Sequence, residues 1–202
     1  MLKCEFIFDF GSPNSYLAWK VLPELEGRVG VTFDYTPVLL GGIFKATGNA
    51  SPVVAFAGIK NKLDYEMLEM RRFISKYKLS KFTMNPHFPV NTLALMRGAI
   101  VAQQNNFLPA YMEAVMHHMW EAPKKMDDPE IIIAALDDSG LDGAHIAAQT
   151  QDASVKAMLV ANTENAVKRG VFGVPSFFVG EELFFGKDKM GNAEETILST
   201  RD

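Results

Sequence analysis

Strand character is confined to the two ends of this sequence, and positions 41–160 between them carry helical signals. That order limits the fold to a small mixed sheet assembled from distant segments, with a block of helices inserted between them. The run Glu5 to Phe10 is short and rich in β-formers, so it reads as a strand. Ser12-Pro13 follows and opens a helix. A serine N-cap accepts one of the unpaired N–H groups of a first turn, and proline at the next position gives up no needed donor. Pro23 is expected to kink this helix, because its ring removes one ladder bond, and Gly27 and Gly30 to end it. Val31 to Val38 reads as a second strand, and strand, helix, strand in so short a span implies a right-handed βαβ unit.

The middle repeats apolar residues every third or fourth position. Leu63, Met67, Met70, Ile74 and Tyr77 form one such face, and Leu93, Met96 and Ile100 another, as do Met112, Val115 and Met119. Asp128 before Pro129 is a helix start, and Ser139-Gly140 closes that helix. Asp152 is expected to cap a further helix that ends near Gly170. Ser176 to Val179 and Leu183 to Phe185 then form a hairpin around Gly180-Glu181-Glu182, and a last helix starts after Gly186-Lys187-Asp188. The expected layout is therefore βαβ, helices, ββα. Positions 1–40 and 161–202 make one domain, and 41–160 make a helical insertion within a single compact unit.

Composition removes several function classes. The net charge is -4, with 22% charged residues, which is no electrostatic footprint for nucleic acid. Arg71, Arg72, Lys76, Lys78 and Lys81 gather among helix-spaced apolar residues and read as a solvated face. The single cysteine, Cys4, lies in an apolar run, where it acts as a small hydrophobe. One cysteine builds neither a disulfide framework nor a cysteine zinc site. No basic region followed by an apolar signal segment opens the sequence, and no apolar stretch approaches the roughly 20 residues of a membrane span. A cytoplasmic location is expected.

The usual catalytic signatures are also missing. His117 and His118 are adjacent, so on a helix they point apart, while His87 and His145 are isolated. No metal site is expected. Gly41-Gly42 and Gly48 lack the Gly-Lys-Ser/Thr ending of a phosphate loop, and no Gly-x-Ser-x-Gly elbow is present. Asp127-Asp128 and Asp137-Asp138 are neighbours suited to caps and surface. Two segments stand out together: Ser12-Pro13-Asn14-Ser15, opening the first helix, and Gly170-Val171-Phe172-Gly173-Val174-Pro175-Ser176, just before the third strand. A proline there can hold a cis bond, since X–Pro pays only about 0.5–1 kcal/mol for it. It would turn the backbone N–H and C=O of Val174 toward a ligand.

This ordered pair resembles the thioredoxin-like fold, in which a Cys-x-x-Cys motif opens helix one and a cis-proline loop faces it. Here Ser12-Pro13-Asn14-Ser15 holds that position, so dithiol–disulfide exchange by the protein itself is chemically impossible and any thiol must come from outside. The finer resemblance is to 2-hydroxychromene-2-carboxylate isomerases and their kin, the kappa-class glutathione transferases. It is carried by Phe8-Asp9-Phe10-Gly11-Ser12-Pro13-Asn14-Ser15-Tyr16, Gly48-Asn49-Ala50-Ser51-Pro52, Lys62-Leu63-Asp64-Tyr65, Val171 to Phe178 and Phe185-Gly186-Lys187-Asp188-Lys189.

The resemblance implies an α/β thioredoxin-like fold with a large helical insertion, and glutathione as cofactor. It implies that Ser12 faces the glutathione sulfur, and that the Val174 backbone before Pro175 pairs with the cysteinyl part. Asp188, beside Lys187, would meet the γ-glutamyl amine, and Asp188 would also suit a helix cap. Asn49 and Lys62 would approach the peptide and carboxylate ends, with Lys60 as the alternative to Lys62. Lys189 stands where the family usually has arginine, which keeps the charge and loses the bidentate fork. The reaction implied is reversible thiolate addition to a conjugated enone, interconverting 2-hydroxychromene-2-carboxylate and trans-o-hydroxybenzylidenepyruvate. The partner implied is thus a small aromatic acid, whose apolar slot Asn85-Pro86-His87-Phe88-Pro89 is placed to line. Two other readings use the same residues: a kappa-like transferase or peroxidase, and a non-enzymatic binding module in which Ser12 is only a cap. A homodimer is the default, since closed twofold oligomers are common.

Overall fold

A computed structural model describes residues 2–200. Strand β1 (Cys4–Phe8) leads into helix α1 (Pro13–Val29), and β2 (Phe33–Pro37) follows. Helices α2 (Leu40–Thr47), α3 (Pro52–Ala55), α4 (Lys62–Lys76), α5 (Leu93–Gln104) and α6 (Leu108–Trp120) come next. Then come α7 (Pro129–Asp138), α8 (Gly143–Gln149) and α9 (Ala153–Lys168). The chain closes with β3 (Ser176–Val179), β4 (Glu182–Phe185), a 3-10 turn at Lys187–Lys189 and α10 (Met190–Ser199). The expected order of elements is the observed one.

The strands form one sheet in the order β2-β1-β3-β4. β1 runs parallel to β2 and antiparallel to β3, and β3 pairs antiparallel with β4. In this register Phe6 lies between Tyr35 and Phe177. Because strand side chains alternate, Cys4, Phe6 and Phe8 face a large core with α1, α5 and α6, while Ile7 faces a smaller one with Val38, Ile43, Ala166, Val171, Val174 and Phe178. The central strand is buried along its whole length, and each fully buried phenylalanine contributes about 2–3 kcal/mol. Glu5 is the exception to that apolar pattern. Burial pushes its carboxyl pKa up, but Arg169 and Lys3 outweigh burial and hold it below the usual range. Arg169 grips it with two bonds of 3.0 Å while lying 3.6 Å over the Phe178 ring.

Local signals explain the ends of α1. Ser12 adopts extended backbone and accepts the Ser15 N–H at 3.2 Å, with Pro13 at the first helical position. The helix passes through Pro23 and Gly27, and Gly30 at φ 59° is the residue that ends it. Asp128 caps α7 as expected, accepting the Glu130 N–H. Two other expected caps differ. Asp152 precedes α9 but makes no side-chain cap bond. Asp188 falls inside the 3-10 turn and caps nothing, because the neighbouring ammonium of Lys187 takes its carboxylate.

The helices also tie the region after β1 in place. Trp120 on α6, fully buried, donates its indole N–H to the Phe10 carbonyl at 2.9 Å. Tyr16 on α1 donates to Glu121, which also meets Lys20 and His117. The basic residues 71, 72, 76, 78 and 81 are all exposed, and Cys4 is buried. Among the described residues no helix is long and apolar enough to cross a membrane.

Candidate active site

The parallel strands β1 and β2 end at the same edge of the sheet, and β3, which is antiparallel to β1, begins there. The loop after β1 and the loop before β3 therefore meet. The Val174–Pro175 peptide bond is cis. The Ser12 hydroxyl donates to the Val174 carbonyl at 3.2 Å and accepts from the Ser15 N–H. Ser12 is 6% exposed, so it sits just under the surface. Neither the Asn14 N–H, in the first turn of α1, nor the Val174 N–H finds an acceptor among the described residues. Open donors beside a helix N-terminus, which carries about half a positive charge, suit an anion.

Contacts link Lys187, Asp188 and Asn49, but not Lys62, to this point. The Pro175 carbonyl accepts the Gly186 N–H at 2.8 Å, which holds the Lys187–Asp188 turn against the cis-proline loop. Lys187 is buried; its ammonium is bidentate to Asp188 at 2.8–2.9 Å and lies 5.2 Å from the Phe73 ring on α4. The Asp188 carboxylate itself is mostly exposed. Asn49, just past α2, donates to the Phe172 carbonyl at 2.8 Å and accepts from the Ala50 N–H. It fastens the loop two residues before Val174. Lys62 stands apart: its partners are Glu66 at 2.7 Å and the rings of Phe56 and Tyr65, all close in sequence.

Asp9 is the site residue that sequence reasoning missed. It is fully buried. One carboxylate oxygen accepts the Gly11 N–H at 2.8 Å and the Thr92 hydroxyl at 2.7 Å, and the other accepts the Leu40 N–H at 2.7 Å. Asp9 thus pins the Gly11-Ser12 turn to β2's exit and to the start of α5. Burial pushes its pKa up, against the pull of those three donors. A side chain at Gly11 would crowd Thr92 at 3.1 Å and Asp9 at 3.3 Å, so those two side chains would have to give way by a few tenths of an ångström. The sequence signal was an acidic residue ending a buried strand, which alone reads as an ordinary turn.

The histidines take separate partners, His117 with Glu121 and His118 with Ser139. Burial lowers the His118 pKa. Among the described residues no group of three His, Cys, Asp or Glu side chains could hold a metal. In the Asn85–Pro89 loop, Asn85 is buried and donates to the Met119 and Lys124 carbonyls, so it fastens the loop to the end of α6.

A mixed sheet in this order, with a cis-proline facing the N-terminus of α1, defines a thioredoxin-like protein whose active turn carries serine in place of cysteine. The chain belongs to the DSBA-like thioredoxin domain family, whose model matches residues 3–198. It is 27% identical over 194 residues to a 2-hydroxychromene-2-carboxylate isomerase from Sphingobium xenophagum, covering 96% of this chain and 97% of the relative. It is 25% identical over 199 residues to glutathione S-transferase kappa 1 from Rattus norvegicus, covering 92% and 86%. A solved structure of 2-hydroxychromene-2-carboxylate isomerase superposes with a TM-score of 0.82 at 25% identity, over 98% of this chain and 95% of that one.

Proposed function

We propose that this chain is a glutathione-dependent isomerase that interconverts 2-hydroxychromene-2-carboxylate, or a similar aromatic acid, with its open-chain enone. The observation that carries the reading is the Ser12 hydroxyl, held at the N-terminus of α1 against the backbone of Val174 in a turn without cysteine. The donor set fits a peptide thiol. Val174 offers an open N–H and a carbonyl, as an added strand requires, and Asn14 offers a second open N–H.

In this reading Ser12 turns its hydroxyl from the Val174 carbonyl to a thiolate and, with the helix terminus, lowers the thiol pKa. Val174 and Pro175 align the cysteinyl backbone. Asp188, whose carboxylate is mostly exposed, takes the γ-glutamyl ammonium, and Lys187 holds that carboxylate in position. Asn49 holds the Phe172–Val174 loop in register, and Lys62 is the cation for a terminal carboxylate. When bound, glutathione supplies the thiol that adds reversibly to the conjugated enone. The same reading carries an aromatic acid substrate, a cytoplasmic location and a homodimer.

The transferase alternative shares this thiol site. The match to the isomerases in both sequence and structure favours the isomerase. Turnover of 2-hydroxychromene-2-carboxylate, followed by ultraviolet absorbance with and without glutathione, tests the reading. Activity that needs glutathione and is lost in Ser12→Ala is expected. Activity without glutathione, or none with it, overturns the assignment.

A further inference from the structure

A second concavity of about 410 Å³ lies between α2, α5 and α9, and none of the residues of the Ser12 cradle line it. Leu39, Leu93, Leu159 and Val167 give it an apolar body. Gly42 lets α2 approach α9: a side chain there would press on Thr163 at 3.1 Å. The Leu39 N–H donates to the Thr163 hydroxyl at 2.9 Å, which fixes this wall and satisfies its polar groups internally.

The charges are unbalanced. Lys45, Arg97 and Lys156 line the cavity against one carboxylate, Glu164. None of these four is in an ion pair among the described residues. Arg97 is the telling residue. Its Nε is shut off from solvent and donates to nothing. The residue as a whole is half-buried and its guanidinium has no partner among the described residues, so its terminal nitrogens are the donors a ligand can reach, and their planar fork matches a carboxylate. A volume of a few hundred Å³ with an apolar lining and few polar groups is that of a small-ligand site.

We propose that this cavity binds a small amphipathic carboxylic acid, with its apolar body among the leucines and its carboxylate on Arg97. The site is separate from the Ser12 cradle and fills without glutathione. The test is calorimetry on the full chain with 1-naphthoate and its uncharged counterpart, 1-naphthamide. Wild type should bind 1-naphthoate at least tenfold more tightly than 1-naphthamide. Arg97→Gln should erase that preference. Ala46→Phe, which fills the cavity from an exposed position on its lining, should weaken both probes at least tenfold. Ser12→Ala and saturating glutathione should leave 1-naphthoate binding unchanged. No binding to wild type, a preference that survives Arg97→Gln, or displacement by glutathione would each overturn the proposal. Displacement would move the acid to the Ser12 cradle and leave the isomerase reading standing.

Discussion

Replacing Asp9 by asparagine isolates the device that shapes the turn before Ser12. Two of the three groups facing Asp9, the Gly11 and Leu40 N–H, can only donate, and they meet different carboxylate oxygens. The third, the Thr92 hydroxyl, can donate or accept. A protonated Asp9 keeps all three bonds by giving its proton to Thr92. An asparagine cannot: whichever way its amide is turned, its NH₂ faces a backbone N–H. One buried donor is left unpaired against another, which costs about 1–3 kcal/mol.

The pH dependence gives a second handle. Burial raises the folded pKa of Asp9 above its unfolded value near ~3.9. Between the two values the folded state binds the extra proton, so stability is greatest below the unfolded pKa and falls as pH rises through the folded one. The slope is at most about 1.4 kcal/mol per pH unit. Asp9→Asn lacks that titration, so its deficit against wild type should be largest at acid pH and shrink as pH rises. Urea unfolding of both proteins from pH 4 to 8 measures the difference. A mutant as stable as wild type, or a deficit that grows with rising pH, would rule out this role for Asp9.

Three further substitutions probe other contacts. Gly98→Ala would place its methyl 2.0 Å from the hydroxyl of buried Tyr111, which bonds the Leu95 carbonyl, and should cost about 1–3 kcal/mol; an unchanged melting temperature would contradict this. Burial pushes the Glu121 carboxyl up, but Lys20, His117 and Tyr16 overcome it and hold its pKa at about 2. That depressed value contributes about 3 kcal/mol, present above pH ~4.5 and lost as pH falls through about 2. Glu121→Gln should therefore destabilise at neutral pH and flatten the acid limb of a stability profile. Asn49→Ala removes the bond to the Phe172 carbonyl and, at ~1 kcal/mol for one hydrogen bond, should weaken glutathione binding about fivefold, read by calorimetry.

The order of elements and the Ser12 turn were legible because their signals are local. Ser-Pro marks a helix start by its own chemistry, and Gly30 at positive φ ends that helix for want of a Cβ. What eluded the sequence depends on contacts between distant segments. Asp9 matters through Leu40 and Thr92, which only the fold brings to it. Asp188 looked like a cap because a helix starts nearby; burial of Lys187 decided its partner instead. Asn49 gained its place from a bond across to Phe172, far along the chain, whereas Lys62 found partners only in its own segment. Arg97 lies in a helix with no neighbouring acid to mark it, and only the fold sets it in a concavity beside α2 and α9.

Glutathione binding by calorimetry, with a parallel ultraviolet titration of the thiolate, on wild type and Ser12→Ala shows whether Ser12 serves a bound thiol. Loss of the Ser12 bonds to Ser15 and Val174 should cost about 0.5–2 kcal/mol of stability while the protein still folds. The expected result is binding to wild type with a thiol pKa well below that of free glutathione, and a raised pKa or lost binding in the mutant. No binding to wild type, or a thiol pKa unmoved by the substitution, would contradict the account and leave Ser12 as a helix cap.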